Sequence, residues 1–214
     1  VAAIMSLLES TNIAHPALEA LFTIDEETGM TGAFGLEPGV LKGDILLNLD
    51  TEDDDEFSIG CAGGIDTNTK YSYSEEAASG IAYSISVKGL KGGHSGMDIH
   101  LQRGNANKIM NRLLWNCEDL ELQIAEINGG SLRNAIPRES FATITVKDDS
   151  YLEIFSKRVE QIKGEFSVSD GGLIIEITPV DLPKKVMSQS DVLKLTNTIY
   201  AVHNGVYRMS PEIE

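Results

Sequence analysis

The sequence predicts an α/β fold in two parts: a partial parallel-sheet domain over residues 1–63, then part of an α+β, ferredoxin-like domain over residues 64–214. Three observations carry this. Two short and almost wholly apolar runs, LEALFTID at 18–25 and DILLNL at 44–49, stop at acids, as strands covered on both faces do. After the charge run TEDDDE at 51–56 and the CAGG break at 61–64, the pattern changes to period-two alternation. Ile81, Tyr83, Ile85 and Val87 then read against Ala82, Ser84, Ser86 and Lys88, as in an antiparallel sheet with one wet face. From that strand onward the periodicities run β-α-β-β-α-β, the order of helices packed on one face of an antiparallel sheet.

The elements follow in order. The opening VAAIMSLLES reads as a helix, because Ala3, Ile4, Leu7 and Leu8 share one face. It has neither the basic n-region nor the A-x-A site of a signal peptide. Residues 30–36 read as a short helix and LEPG at 36–39 as a turn. In the second part, a helix over 105–116 offers Ile109, Met110, Leu113 and Leu114 as its buried side. Strands are expected over 121–127 and 140–146, a helix over 150–163 and a strand over 173–177. A last helix over 188–202 is opened by Ser188, with Asp191 three residues on as a capping partner.

Composition excludes several classes of function. With 33 acidic against 17 basic residues the formal charge is -16, which repels nucleic acid and anionic lipid, so neither is expected as a partner. No apolar run reaches the roughly 20 residues that span a bilayer. Cys61 and Cys117 form no CxxC pair and read as small buried apolar side chains in a reducing compartment.

Three clusters bear chemistry. In an open parallel sheet, ligands gather beyond the carboxyl ends of strands. Glu26 and Glu27 follow the first apolar run, with Gly29 permitting a sharp turn, and Asp50 follows the second. Adjacent carboxylates point in different directions, so one can hold a metal while its neighbour faces a water; a solvated turn is the simpler reading of such a pair. The second cluster, GLKGGHSG at 89–96, sets His94 between glycines that leave its imidazole exposed, as in a group that reaches across a cleft or in an ordinary hairpin loop. The third, GGSLRNAIP at 129–137, fixes Asn134 between a diglycine and a proline, where it can bind a substrate carbonyl or only its own loop.

Taken together and in this order, DEETG at 25–29, NLD at 48–50, KGGHSG at 91–96 and GGSLRNAIPRE at 129–139 resemble the two-zinc peptidases that include aminoacylases and carnosinases. The longer blocks LEALFTIDEETGMTGAFGL, IGCAGGID, GLKGGHSGMDIHLQRGNANK and LRNAIPRE narrow the resemblance to bacterial aminoacyl-histidine dipeptidases. It is specific from Val1 to about Val146 and looser beyond.

The resemblance implies a cytoplasmic hydrolase of small dipeptides carrying C-terminal histidine, with two Zn²⁺ ions and a bridging water; Co²⁺ or Mn²⁺ also suit the carboxylate-rich ligand set. It implies Glu26 as general base, Glu27 and Asp50 as metal ligands, His94 as substrate contact and oxyanion donor, and Asn134 as substrate contact. Residues 1–63 become part of a catalytic domain and residues 64–214 part of a dimerisation-like lid, with a homodimer as the assembly this allows.

The family pattern also contains a His-x-Asp motif, a bridging aspartate before the first helix and a late histidine ligand. These 214 residues hold none of them, and Lys147 stands where an arginine is expected. His15, His100 and His203 match no ligand motif. The chain is therefore expected to be an internal piece, inactive alone. The alternatives are a truncated product or a non-catalytic homologue that only binds metal or peptide.

Overall fold

A computed structural model describes residues 1–50, 55, 63–209 and 211. Of the segments singled out in the sequence, most of the charge run at 51–56 and Cys61 lie outside the described residues. The chain divides into two compact units, Val1–Thr67 and Asn68–Glu214.

In the second unit, strands β1 (Glu75–Ala77), β2 (Ile81–Lys88), β3 (Gln123–Gly129), β4 (Ser140–Val146), β5 (Ile174–Pro179) and β6 (Lys185–Met187) come in consecutive pairs, each pair followed by an α-helix. The main sheet has the order β3-β4-β2-β5 and is antiparallel throughout. This is the ferredoxin-like arrangement that the alternation predicts. The register is set by the pleat: Tyr83 pairs with Ile144, Ile85 with Ala142 and Val87 with Ser140, so the apolar set of β2 faces one way. Against that face pack α3 (Ala106–Leu114) and α4 (Ser150–Glu165).

The core is built from Ile85, Val87, Ile144 and Val146 of the sheet, Ile109, Met110 and Leu113 of α3, and Tyr151 and Ile162 of α4, all essentially inaccessible. Each such aliphatic side chain contributes about 1.5–3 kcal/mol through its removal from water. Tyr151 satisfies its hydroxyl by donating to the Leu113 carbonyl at 3.1 Å. Cys117 is buried beside them, and burial pushes its thiol pKa up, as suits a packing residue.

Helix α5 (Gln189–Ala201) packs on α3 and is held at both ends. At its start the Ser188 side chain accepts from the Asp191 amide, while the Asp191 carboxylate accepts from Ser188 Oγ at 3.0 Å, the Ser74 amide at 2.8 Å and Tyr71 Oη at 2.9 Å. At its end Lys108 Nζ donates to the carbonyls of Ile199, Tyr200 and Val202 at 2.6, 3.1 and 2.7 Å. These are orphan carbonyls of a helix C-terminus, where a cation is favoured. Strands β1 and β6 form a separate two-stranded antiparallel ladder, which the sequence pattern does not signal.

The first unit contains α1 (Ala2–Glu9) and α2 (Thr31–Phe34), both within segments expected to be helical. The two expected parallel strands do not form: residues 18–25 and 44–49 have no strand pairing. Ile24, Ile45, Leu46 and Leu47 are 73, 83, 79 and 76% exposed. A strand covered on both faces needs flanking strands to complete its ladder, and the described residues of this unit supply none. What links the two runs is Glu19, whose Oε2 accepts the amides of Lys42 and Gly43 at 2.8 and 2.7 Å.

Candidate active site

In the first unit the segment 25–31 is organised by Asp25. Its carboxylate accepts from the hydroxyls of Thr28 and Thr31, and its carbonyl accepts the amides of Gly29 and Met30. The backbone of Asp25 lies in the left-handed region with φ 61°, a conformation that aspartate tolerates better than most residues. Glu26 and Glu27 thus project from a closed turn, exposed and with no side-chain partner among the described residues. Asp50 is also exposed, its amide bonded to Asn48 Oδ1 at 3.0 Å. Among the described residues no group of three or more His, Cys, Asp or Glu side chains is disposed to hold a metal ion.

In the second unit the structure brings the other two predicted residues together. The segment after β2 and the connection between β3 and β4 form an isolated antiparallel bridge with His94 opposite Ala135. The Ser95 amide donates to the Asn134 carbonyl and the Ile136 amide to the Gly93 carbonyl, both at 2.8 Å. The imidazole is exposed, and its Nδ1 accepts the amides of Gly96 and Met97 at 3.0 and 3.2 Å. A nitrogen that accepts carries no proton, so the neutral ring holds its proton on Nε2 and presents a donor outward. The Asn134 side-chain amide has no partner among the described residues.

Sequence reasoning missed the residues that shape this loop. Asp98 Oδ2 accepts the His94 amide at 2.8 Å, and Arg103 Nη1 donates to the Gly92 carbonyl at 2.7 Å. Asp170, 1% exposed, accepts the Lys91 amide on Oδ1 and the Gly104 amide on Oδ2, both at 2.8 Å, so one carboxylate pins the two ends of the excursion 91–104. Asp98 is signalled only by lying one helical turn beyond His94. Asp170 sits in SDGG, dozens of residues downstream, with no local signal at all.

Residues 85–166, from within β2 to the end of α4, match a peptidase dimerisation domain. The cytosol non-specific dipeptidase of Escherichia coli (strain K12) is 41% identical over 218 residues, covering 98% of this chain and 44% of that protein. The aminoacylhistidine dipeptidase of Vibrio alginolyticus, known from its crystal structure, is 42% identical with a TM-score of 0.74 and is matched over all of this chain. Over its whole length the chain is thus closely similar to part of these dipeptidases. It spans under half the length of both relatives, 44 and 45%.

Dipeptidases of the family imply a metal cofactor, and the donors present bear on that directly. Exposed carboxylates at Glu27 and Asp50 are suitable oxygen ligands, but two carboxylates fall short of the three protein ligands and one open position of a catalytic zinc. By themselves the described residues do not make a complete zinc site. No described helix is long and apolar enough to cross a membrane.

Proposed function

We propose that this chain is the central part of a cytoplasmic dipeptidase acting on dipeptides, with Xaa-His as the preferred class. Residues 1–63 belong to its metal-bearing catalytic domain and residues 64–214 to its lid, through which two copies associate. The observation that carries the reading is the outward Nε2–H of His94, on a segment bridged to the one that bears Asn134, in a chain whose relatives are named dipeptidases.

An outward N–H of this kind suits a carbonyl that gathers negative charge. A preorganised donor binds the developing oxyanion more tightly than the ground-state carbonyl, and losing one costs roughly 3 kcal/mol of transition-state stabilisation. Asn134 supplies a second polar contact that orients the substrate. Glu26, without a partner of its own, accepts the proton of the attacking water. Glu27 and Asp50 would serve as two of the protein ligands to a pair of zinc ions, whose chemistry when bound is to polarise the scissile carbonyl and make the water acidic.

The test is Glu26→Gln in the complete protein encoded by the reading frame that contains this chain. Zinc content should be unchanged and Xaa-His turnover lost; retained turnover refutes the role. The 214-residue chain alone should show no hydrolysis with added zinc, and measurable turnover would overturn that part of the reading. A non-catalytic homologue that only binds peptide is the second reading, and an inactive complete protein that still binds Xaa-His would favour it.

A further inference from the structure

We infer that Asp98, together with Arg103, is a positioning residue for His94: it fixes the tautomer and aim of an imidazole it does not touch. The inference rests on the proposed role of His94 as oxyanion donor. Four observations support it. Asp98 Oδ2 takes the His94 amide at 2.8 Å, and the Asp98 amide returns to the His94 carbonyl at 3.0 Å, so both backbone polar groups of the histidine are tied to one residue. Arg103 Nη1 lies 3.5 Å from the same Oδ2 and donates to the Gly92 carbonyl at 2.7 Å, clamping the chain on the other side of Gly93.

Gly93 runs through the narrow gap between them. Its φ is 141°, and a β-carbon there would sit 2.5 Å from both Arg103 Nη1 and Asp98 Oδ2, so the loop closes only around a glycine. The resulting turn presents the amides of Gly96 and Met97 to Nδ1. Those two amides set the tautomer, and they stay on Nδ1 only while the turn that Asp98 closes is intact. Charge-assisted bonds to backbone amides are roughly twice as strong as neutral ones, which makes Asp98 a strong tie on the histidine itself.

Side chains that merely stabilise the fold would alter yield and melting temperature without altering the state of the ring. The test therefore reads the ring itself. In the 214-residue chain labelled with ¹⁵N-histidine, one of four histidine signals, removed by His94→Ala, should show a proton fixed on Nε2 and none on Nδ1. Asp98→Ala should move that signal towards the average of exchanging tautomers, and Asp98→Asn, which keeps an oxygen for the amide, should restore most of it. An unchanged His94 signal in folded Asp98→Ala overturns the inference; if that variant fails to fold, Arg103→Gln gives the same readout.

In the complete protein, Asp98→Ala should lower kcat roughly 10- to 100-fold with KM changed little, the scale on which a misplaced group loses rate. In a His94→Ala background it should cause no further loss, because its effect passes through that ring. Additive losses overturn the inference while leaving His94 in its role. Wild-type kcat in His94→Ala alone removes the role, and with it the catalytic purpose of the clamp, whatever the tautomer spectrum shows.

Discussion

Replacing Asp170 with asparagine should destabilise the second unit by about 2–3 kcal/mol, since hydrogen bonds to a charged group contribute roughly 1.5–3 kcal/mol each. Asp170 is 1% exposed and each oxygen accepts one amide, from Lys91 and from Gly104. Asparagine retains one acceptor and turns an N–H₂ towards the other amide, so one bond is lost and a donor faces a donor. Asp170→Ala leaves both amides without their acceptor and should cost more, about 3–5 kcal/mol. Urea unfolding followed by far-UV circular dichroism reads this directly: with a slope near 2 kcal/mol/M, the asparagine variant should lose about 1 M or more in midpoint. A change below about 0.5 kcal/mol in both variants would refute the reasoning, because it would mean that water replaces the carboxylate at no cost and that the ends of the loop are not held by it.

Other perturbations have equally definite outcomes. The Lys194 ammonium, the Ser74 amide and the Tyr71 hydroxyl hold the Asp191 carboxyl well below the usual carboxylate range. A depressed carboxyl stabilises the fold above its unfolded pKa of about 4 and loses that contribution as pH falls below it, so thermal stability should fall more steeply between pH 5 and pH 3 in the parent than in Asp191→Asn. The Tyr83 phenol is pushed up to about 12 by its hydrogen bond to Asp149, by burial and by the Asp149 charge. Spectrophotometric titration at 295 nm should therefore lose an alkaline component in Tyr83→Phe, and in the parent protein the stability contributed by the neutral phenol should fade as pH rises from about 10 towards 12. Gly93→Ala places a β-carbon 2.5 Å from Arg103 Nη1 and Asp98 Oδ2. It should open the turn and reduce kcat of the complete protein at least tenfold, with a wild-type rate as the refuting result.

Much of the second unit is legible in the sequence because its local signals agree with its tertiary contacts. Ile85 and Val87 are inaccessible where the alternation of β2 places them, and Ile109, Met110 and Leu113 are buried on the helical face their spacing predicts. The helices expected over 150–163 and 188–202 appear as Ser150–Glu165 and Gln189–Ala201, with Ser188 in its capping role. Where the reading fails, the determinant is not local. LEALFTID and DILLNL have the composition of strands, yet composition supplies no neighbour to complete a ladder, and these runs remain unpaired. His94 and Asn134 were visible as residues set among glycines. Asp98, Arg103 and Asp170 were not, because each acts on backbone amides or carbonyls that only the folded loop brings within reach.

The bridge between His94 and Ala135 has one more implication. A ladder this short has a register that is either right or wrong, with nothing between, and a slip of one position would set Asn134 or Ile136 opposite the histidine instead. Chain length between Gly130 and Pro137 thus bears on this alignment as much as the identity of any side chain in it. Inserting or deleting a single residue there should do more harm than most substitutions, and homologous loops of altered length would have to re-create the alignment by other means.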